Sequence, residues 1–281
     1  MRVLVTGARG MLARALLREL ERRGHEVVGL GRDALDVTDA DAVERAVREW
    51  VPDVVVQCAA YTRVDDAETD EAAAFAVNAE GTRNVARACR AVGARLVYPS
   101  TDYVFDGRAS SPYRPDHPPA PLNAYGRSKL AGEEAAREAG DWVVARTSWL
   151  YGAGGRNFVS TILRRAMEGT PLRVVDDQRG TPTWTGALAV TLVGLLEADV
   201  PSGIYHTTGR GETTWYGFAR EALRLAGIDA DIVPVPTEAF PTPARRPRYS
   251  VLDCSSTEAV VGPLPDWRDA LRAAIAEGGL V

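Results

Sequence analysis

Tyr125 and Lys129 stand four residues apart in the run Tyr125-Gly126-Arg127-Ser128-Lys129. On a helix that spacing puts both side chains on one face, where they can meet one ligand. A phenol beside an ammonium makes an acid unit. An unperturbed tyrosine has a pKa of about 10, and a neighbouring cation favours phenolate and so improves the hydroxyl as a proton donor. Such a unit can protonate the alkoxide formed when a carbonyl is reduced. The same lysine can donate hydrogen bonds to the ribose hydroxyls of a nicotinamide nucleotide. Composition singles Lys129 out as well: of 33 basic residues it is the only lysine, the rest being arginine. Ammonium and guanidinium differ in shape, hydration and acidity, so a chain this biased toward Arg keeps Lys where Arg would not serve.

Two further groups complete a redox site. Ser100-Thr101 follows an apolar run at residues 95–98, and a hydroxyl there can hold a substrate carbonyl for the tyrosine. Asn78 is a candidate proton-relay residue or a packing residue. Near the start, Gly7-Ala8-Arg9-Gly10-Met11-Leu12-Ala13 separates a short apolar run from an amphipathic one. Small residues there permit a tight turn and let backbone approach a pyrophosphate, which the N–H groups at the helix start, around Met11 and Leu12, then meet. The next apolar run ends in Leu30-Gly31-Arg32. An acid at such a place binds the ribose of NAD, whereas an arginine accommodates the extra phosphate of NADP. Arg32 therefore points to NADPH, with NADH as the alternative donor, or it is a surface charge. Asp36 and Val37 stand further along, within reach of the adenine end.

These groups need a sheet to hold them. Residues 3–5, 26–30, 53–57, 95–98 and 142–146 are short apolar runs. Between them, residues 12–23, 40–50, 72–92 and 123–139 carry helical spacing. Strands alternating with helices predict βαβ units and a parallel sheet wound in both directions, a Rossmann-type α/β fold. Continuous apolar strands suit a sheet covered on both faces. Past residue 150 glycines and prolines cluster and the alternation loosens, with helices predicted at 157–168, 185–197, 214–226 and 266–277. Residues 1–150 with 185–208 then form the dinucleotide-binding domain. Residues 151–184 and 209–281 form a smaller substrate-binding domain.

Composition narrows the function. The chain has 281 residues, 46% hydrophobic and 25% charged, with a net charge of -5. That mix suits a globular enzyme, and an acidic balance argues against nucleic acid or an anionic membrane surface as partner. No run approaches the roughly 18 apolar residues of a membrane helix, and no signal-peptide pattern opens the sequence. Cys58, Cys89 and Cys254 are scattered and odd in number, which fits reduced thiols in the cytoplasm better than disulfides or a zinc site.

Longer motifs extend along the whole chain. They include Cys58-Ala59-Ala60-Tyr61-Thr62-Arg63-Val64-Asp65, Ser100-Thr101-Asp102-Tyr103-Val104-Phe105 and Tyr125-x-x-x-Lys129-Leu130-Ala131-Gly132-Glu133. Arg146-Thr147-Ser148-Trp149-Leu150-Tyr151, Asp177-Gln178-Arg179-Gly180-Thr181-Pro182-Thr183 and Pro241-Thr242-Pro243-Ala244-Arg245-Arg246-Pro247 follow. In these the chain resembles the extended short-chain dehydrogenase/reductases, and more closely the dTDP-4-dehydrorhamnose reductase family. The resemblance implies hydride transfer to the C4 ketone of dTDP-4-dehydro-L-rhamnose, with Tyr125 protonating the oxygen and Lys129 holding the ribose. It implies Thr101 on the ketone, Val64, Asp102 and Trp149 around the sugar, and Ala59, Ala60, Tyr61 and Thr62 beside the cofactor. Arg246 and Arg248 are candidates for the diphosphate, since Arg meets phosphate with paired donors, or are surface charges. Some members carry a Glu for a Mg²⁺ at a dimer interface where this chain has Ala15, so no metal and a monomer or weak homodimer are expected. Besides an epimerase that keeps its nicotinamide tightly bound, two other readings stay open. One is a reductase of another dTDP-linked 4-keto-6-deoxysugar. The other is a non-catalytic regulatory subunit that binds a dinucleotide.

Overall fold

The apolar runs of the first half assemble into one parallel sheet in the computed structural model, which describes residues 1–280. Its strands are β1 (Arg2–Thr6), β2 (Glu26–Leu30), β3 (Val54–Gln57), β4 (Arg95–Thr101), β5 (Trp142–Thr147) and a sixth, Gly203–His206. Across the sheet the order is β2, β1, β3, β4, β5 and then Gly203–His206, all parallel. The chain leaves β1 toward β2 and returns on the other side as β3. That reversal opens a crevice beyond the carboxyl ends of β1 and β3.

Strand neighbours point to opposite faces, and both faces are apolar. Val3, Val5, Val54, Val56 and Val97 pack against helix α1 (Met11–Arg22) and the helix Thr185–Glu197. Leu4, Val55, Leu96 and Val144 point the other way, onto α2 (Ala40–Trp50) and the helix Gly81–Val92. The strand and helix at 185–206 thus return from the second half of the chain to the sheet. The remaining second half builds a separate core around Tyr151, Leu163, Phe218, Trp267 and Leu271. A short helix, Ser255–Val261, packs back onto Thr185–Glu197 and the strand Gly203–His206; it has no clear apolar period and is not predicted from the sequence.

The predicted helix over 72–92 is present as one helical run from Glu71 to Val92, with a wider turn inside it. Its parts are Glu71–Phe75, a π-helical turn at Ala76–Glu80, and Gly81–Val92. Such wide turns gather at functional sites. Here the turn carries Asn78, fully buried. Its carbonyl accepts from the Tyr98 hydroxyl at 3.1 Å and from Thr82 Oγ1 at 2.8 Å, while its side chain faces Tyr61. Close approach to the helix Ala124–Ala136 is possible because residue 132 is glycine: a Cβ there would run into the Asn78 carbonyl and the Tyr98 hydroxyl.

Candidate active site

A cleft of about 690 Å³ lies over the carboxyl ends of β1, β3 and β4. Gly7, Gly10, Met11, Leu12, Arg32, Asp36, Val37, Ala59, Ala60, Tyr61, Thr62, Tyr125 and Lys129 all line it. The fold therefore brings together every residue assigned to the cofactor from sequence. It adds Arg9, Cys58, Pro99, Thr147, Gly154 and Gly155, which were missed. Thr147 ends β5, so the rule that ligands gather at carboxyl ends of strands would have found it. The glycine cluster at 152–155 was visible, but nothing local connects it with the β1 loop.

Gly7 turns the chain out of β1 at φ +60°, and Gly10, extended, begins α1. No side chain caps that helix and no acid sits in its first turn. Its free N–H groups and positive dipole end thus face the cleft, the arrangement that binds a phosphate. A Cβ on Gly7 would lie 2.7 Å from the Ala59 nitrogen and 2.8 Å from its Cα. Both neighbours are backbone and cannot step aside. Gly7→Ala is therefore expected to weaken NADPH binding at least tenfold and to lower stability by about 1–3 kcal/mol, measured by nucleotide titration and thermal unfolding. Unchanged affinity would remove this loop from the nucleotide site.

Asn123 caps the helix Ala124–Ala136 by accepting from the Gly126 nitrogen at 2.8 Å. From this helix Tyr125 and Lys129 reach the same wall. Lys129 is only 3% exposed and donates to the Pro99 carbonyl at 2.7 Å, with its nitrogen 3.9 Å above the Tyr98 ring. Burial pulls its ammonium down to about 7, opposed by the negative charge of Glu133. Burial also raises the Tyr125 phenol, as does the Asp102 carboxylate, while hydrogen bonding from Thr101 works the other way. The expectation that Lys129 lowers the Tyr125 pKa is corrected here. Desolvation and the Asp102 charge set the net direction, which is upward.

Thr101 ends β4 and is buried, its hydroxyl donating to Asp102 Oδ1 at 3.0 Å. Burial pushes the Asp102 carboxyl up to about 7, and its other oxygen makes no hydrogen bond. Asn78 does not reach the acid unit through its side chain. It accepts from the Tyr61 nitrogen at 2.8 Å and donates to the Tyr61 carbonyl and to Ser128 Oγ, bracing the loop that ends β3. These bonds make Asn78 a brace between the Tyr61 loop and the helix that carries Ser128.

The residues assigned to the sugar lie outside the lining of this cleft, apart from Tyr125. Val64 is half-buried beside Asp65. Trp149 adopts a left-handed backbone, φ +47°, unusual for a bulky residue. Its ring stacks on Trp215 at 3.6 Å, and Gly180 lies directly against it. Arg246 is held by both oxygens of Asp65, at 2.5 and 2.8 Å, and by the Ala244 carbonyl. Arg248 is exposed and meets only Glu238, at 3.2 Å. At the far end Arg32 pairs with Asp36 at 3.3 Å, and Asp36 also accepts from the Thr38 nitrogen and hydroxyl. Among the described residues no group of three His, Cys, Asp or Glu side chains converges as a metal site, and no helix is long and apolar enough to cross a membrane.

A parallel doubly wound sheet, an uncapped helix start facing a cleft, and a Tyr-x-x-x-Lys pair on its wall define a Rossmann-type oxidoreductase of the short-chain dehydrogenase/reductase class. Comparison with known proteins narrows the class. The family model described as "RmlD substrate binding domain" matches residues 1–279. A dTDP-4-dehydrorhamnose reductase of Streptomyces griseus is 52% identical over 278 residues, 96% of this chain and 91% of that protein. A probable dTDP-4,6-dihydroxy-2-methyloxan-3-one 4-ketoreductase of Streptomyces antibioticus is 49% identical, covering 98% of this chain and 94% of that one. The crystal structure of dTDP-4-dehydrorhamnose reductase from Bacillus anthracis str. Ames in complex with NADP superposes with a TM-score of 0.95 at 39% identity, covering 99% of each chain. The chain belongs to the RmlD substrate binding domain family.

Proposed function

We propose that this chain reduces the C4 ketone of dTDP-4-dehydro-L-rhamnose to dTDP-L-rhamnose with NADPH. The carrying observation is that the Tyr125 phenol and the lone lysine stand on one wall of a cleft that also receives the free start of α1. The bound nicotinamide supplies a hydride to the ketone carbon. Tyr125 gives its proton to the ketone oxygen, and Thr101 orients that oxygen. Lys129 holds the nicotinamide ribose. The loop from Gly7 through Gly10 to Met11 and Leu12 takes the pyrophosphate, and Ala59, Ala60, Tyr61 and Thr62 flank the nucleotide. Arg32, exposed at the mouth, meets the 2′-phosphate that distinguishes NADPH, with Asp36 and Val37 near the adenosine. NADH is the weaker donor on this reading.

Residues 1–150 with 185–208 form the nucleotide-binding domain and 151–184 with 209–281 the smaller substrate-binding one, with the sugar held between the two. Val64, Asp102 and Trp149 line the sugar pocket. Arg248 meets the diphosphate, whereas Arg246, occupied by Asp65, adds charge behind it. The name carried by the Streptomyces antibioticus relative favours a second reading, the same chemistry on another dTDP-linked ketosugar. The test is NADPH oxidation with dTDP-4-dehydro-L-rhamnose and NMR of the product. Formation of dTDP-L-rhamnose supports the proposal. Oxidation only with a different dTDP-4-keto-6-deoxysugar selects the second reading. No oxidation with any ketosugar, by protein that binds NADPH, rejects both.

A further inference from the structure

The helix carrying Tyr125 is fastened to two successive residues of β4. Lys129 donates to the Pro99 carbonyl, and one turn on Glu133 accepts from the Ser100 hydroxyl at 2.5 Å. Ser100 lies opposite Arg146 in the pairing of β4 with β5. Arg146 closes a two-pronged ion pair on Glu133 at 2.9 and 2.7 Å, with the two side chains 2% and 1% exposed. A sealed ion pair is weak evidence of a stabilising role, because apolar replacements are often as stable or more so. The proton transfer and ribose contacts proposed above use neither residue directly. We infer that Glu133 is a positioning residue for the Tyr125–Lys129 pair: its negative side chain supports the Lys129 ammonium and fixes Ser100-Thr101 against the helix, while Arg146 holds the Glu133 carboxylate in place.

The geometry supports this on two counts. Residues 125, 129 and 133 form one stripe of the helix, and that stripe meets β4 at residues 99 to 101. Charge gives the second count. The groups facing Lys129 are Tyr98 of β4, Cys58 after β3, Tyr125 and Glu133 on its own helix, and Arg146 of β5 behind Glu133. Burial pushes the Cys58 thiol up to about 12 and raises the Tyr98 phenol, so both are neutral near pH 7. Glu133 is then the neighbour whose charge opposes the downward pull of burial on Lys129.

This inference rests on Tyr125 and Lys129 being the catalytic pair, so its test needs a readout free of turnover. Because Lys129 is the only lysine, protein labelled with ε-¹³C lysine gives one lysine NMR signal, whose titration reports this ammonium directly. Glu133→Gln is expected to lower its midpoint by about one pH unit. In the reaction, kcat at pH 7.5 should fall roughly tenfold and its alkaline limb should move down by the same step, with KM for NADPH little changed. A purely structural role would not move the lysine titration. Glu133→Gln leaves Arg146 unpaired, so Glu133→Gln/Arg146→Met provides a variant without a buried lone charge. Its midpoint should also fall, by less, because a repulsive cation leaves too. A wild-type midpoint in either folded variant overturns the inference. Failure of the wild-type chain to oxidise NADPH with any ketosugar strikes the reductase reading instead, and the lysine titration still decides the role of Glu133.

Discussion

Tyr125→Phe is expected to lose two to four orders of magnitude in kcat, about what a positioned general acid contributes, while NADPH still binds. The change removes one oxygen and keeps the ring. That ring meets Tyr103 edge-on at 5.9 Å and packs by Ala67, Ala74 and Ala124, contacts that phenylalanine retains. The fold and the cleft wall should therefore survive, and Tm should change by only a few degrees. The proposed nucleotide contacts rest on the Gly7 loop, Lys129 and Arg32, so KM for NADPH should change little. Steady-state kinetics with a nucleotide titration would check both halves. Turnover within about tenfold of wild type would show that another group delivers the proton. Asp102, a buried carboxyl raised to about 7 beside Thr101, would then be the first residue to replace.

Lys129→Met should abolish turnover and at the same time make the protein more stable at pH 7. Burial holds the ammonium at about 7 in the folded chain, against about 10.4 when unfolded. Between these values the unfolded chain binds the proton more tightly. Stability therefore rises with pH from about 7 to 10.4, and the folded state is penalised on the acid side of that window. Methionine fills similar volume without the charge, and Glu133 keeps Arg146 as its partner. A gain on the order of 2 kcal/mol, or several degrees in Tm, is expected at pH 7, shrinking toward pH 10. Thermal unfolding across pH 6–10 measures it, and a Met variant less stable at every pH would refute the account. Lys129→Arg, which keeps the charge, should still be impaired: its planar fork has to enter the same narrow space between Pro99 and the Tyr98 ring. A gain in stability joined to a loss of activity marks a residue kept for chemistry.

The residues closest in sequence were the easiest to read. Gly7, Gly10 and the start of α1 follow from turn chemistry, and Tyr125 with Lys129 from helical spacing, because both depend only on neighbours a few residues apart. The strands of the parallel sheet follow for the same reason, as short apolar runs between helical ones. The π-helical turn at Asn78 was not legible, since a helix predicted over 72–92 keeps its period until a distant tyrosine and the Tyr61 loop compete for its polar groups. Arg246 read as a phosphate ligand because its partner Asp65 lies 181 positions away. Gly154 and Gly155 reach the cleft only because the chain after β5 returns to α1, where they lie against Arg14 and Met11. The sign of the Tyr125 shift was missed as well, because spacing reports which groups are near and not how much water is excluded. From sequence alone come the class of chemistry and the pair and loop proposed for it, all local properties of the chain. Tertiary structure decided the protonation of that pair and the partners of its charges, because desolvation and long-range pairing exist only once the helix is pressed onto the sheet.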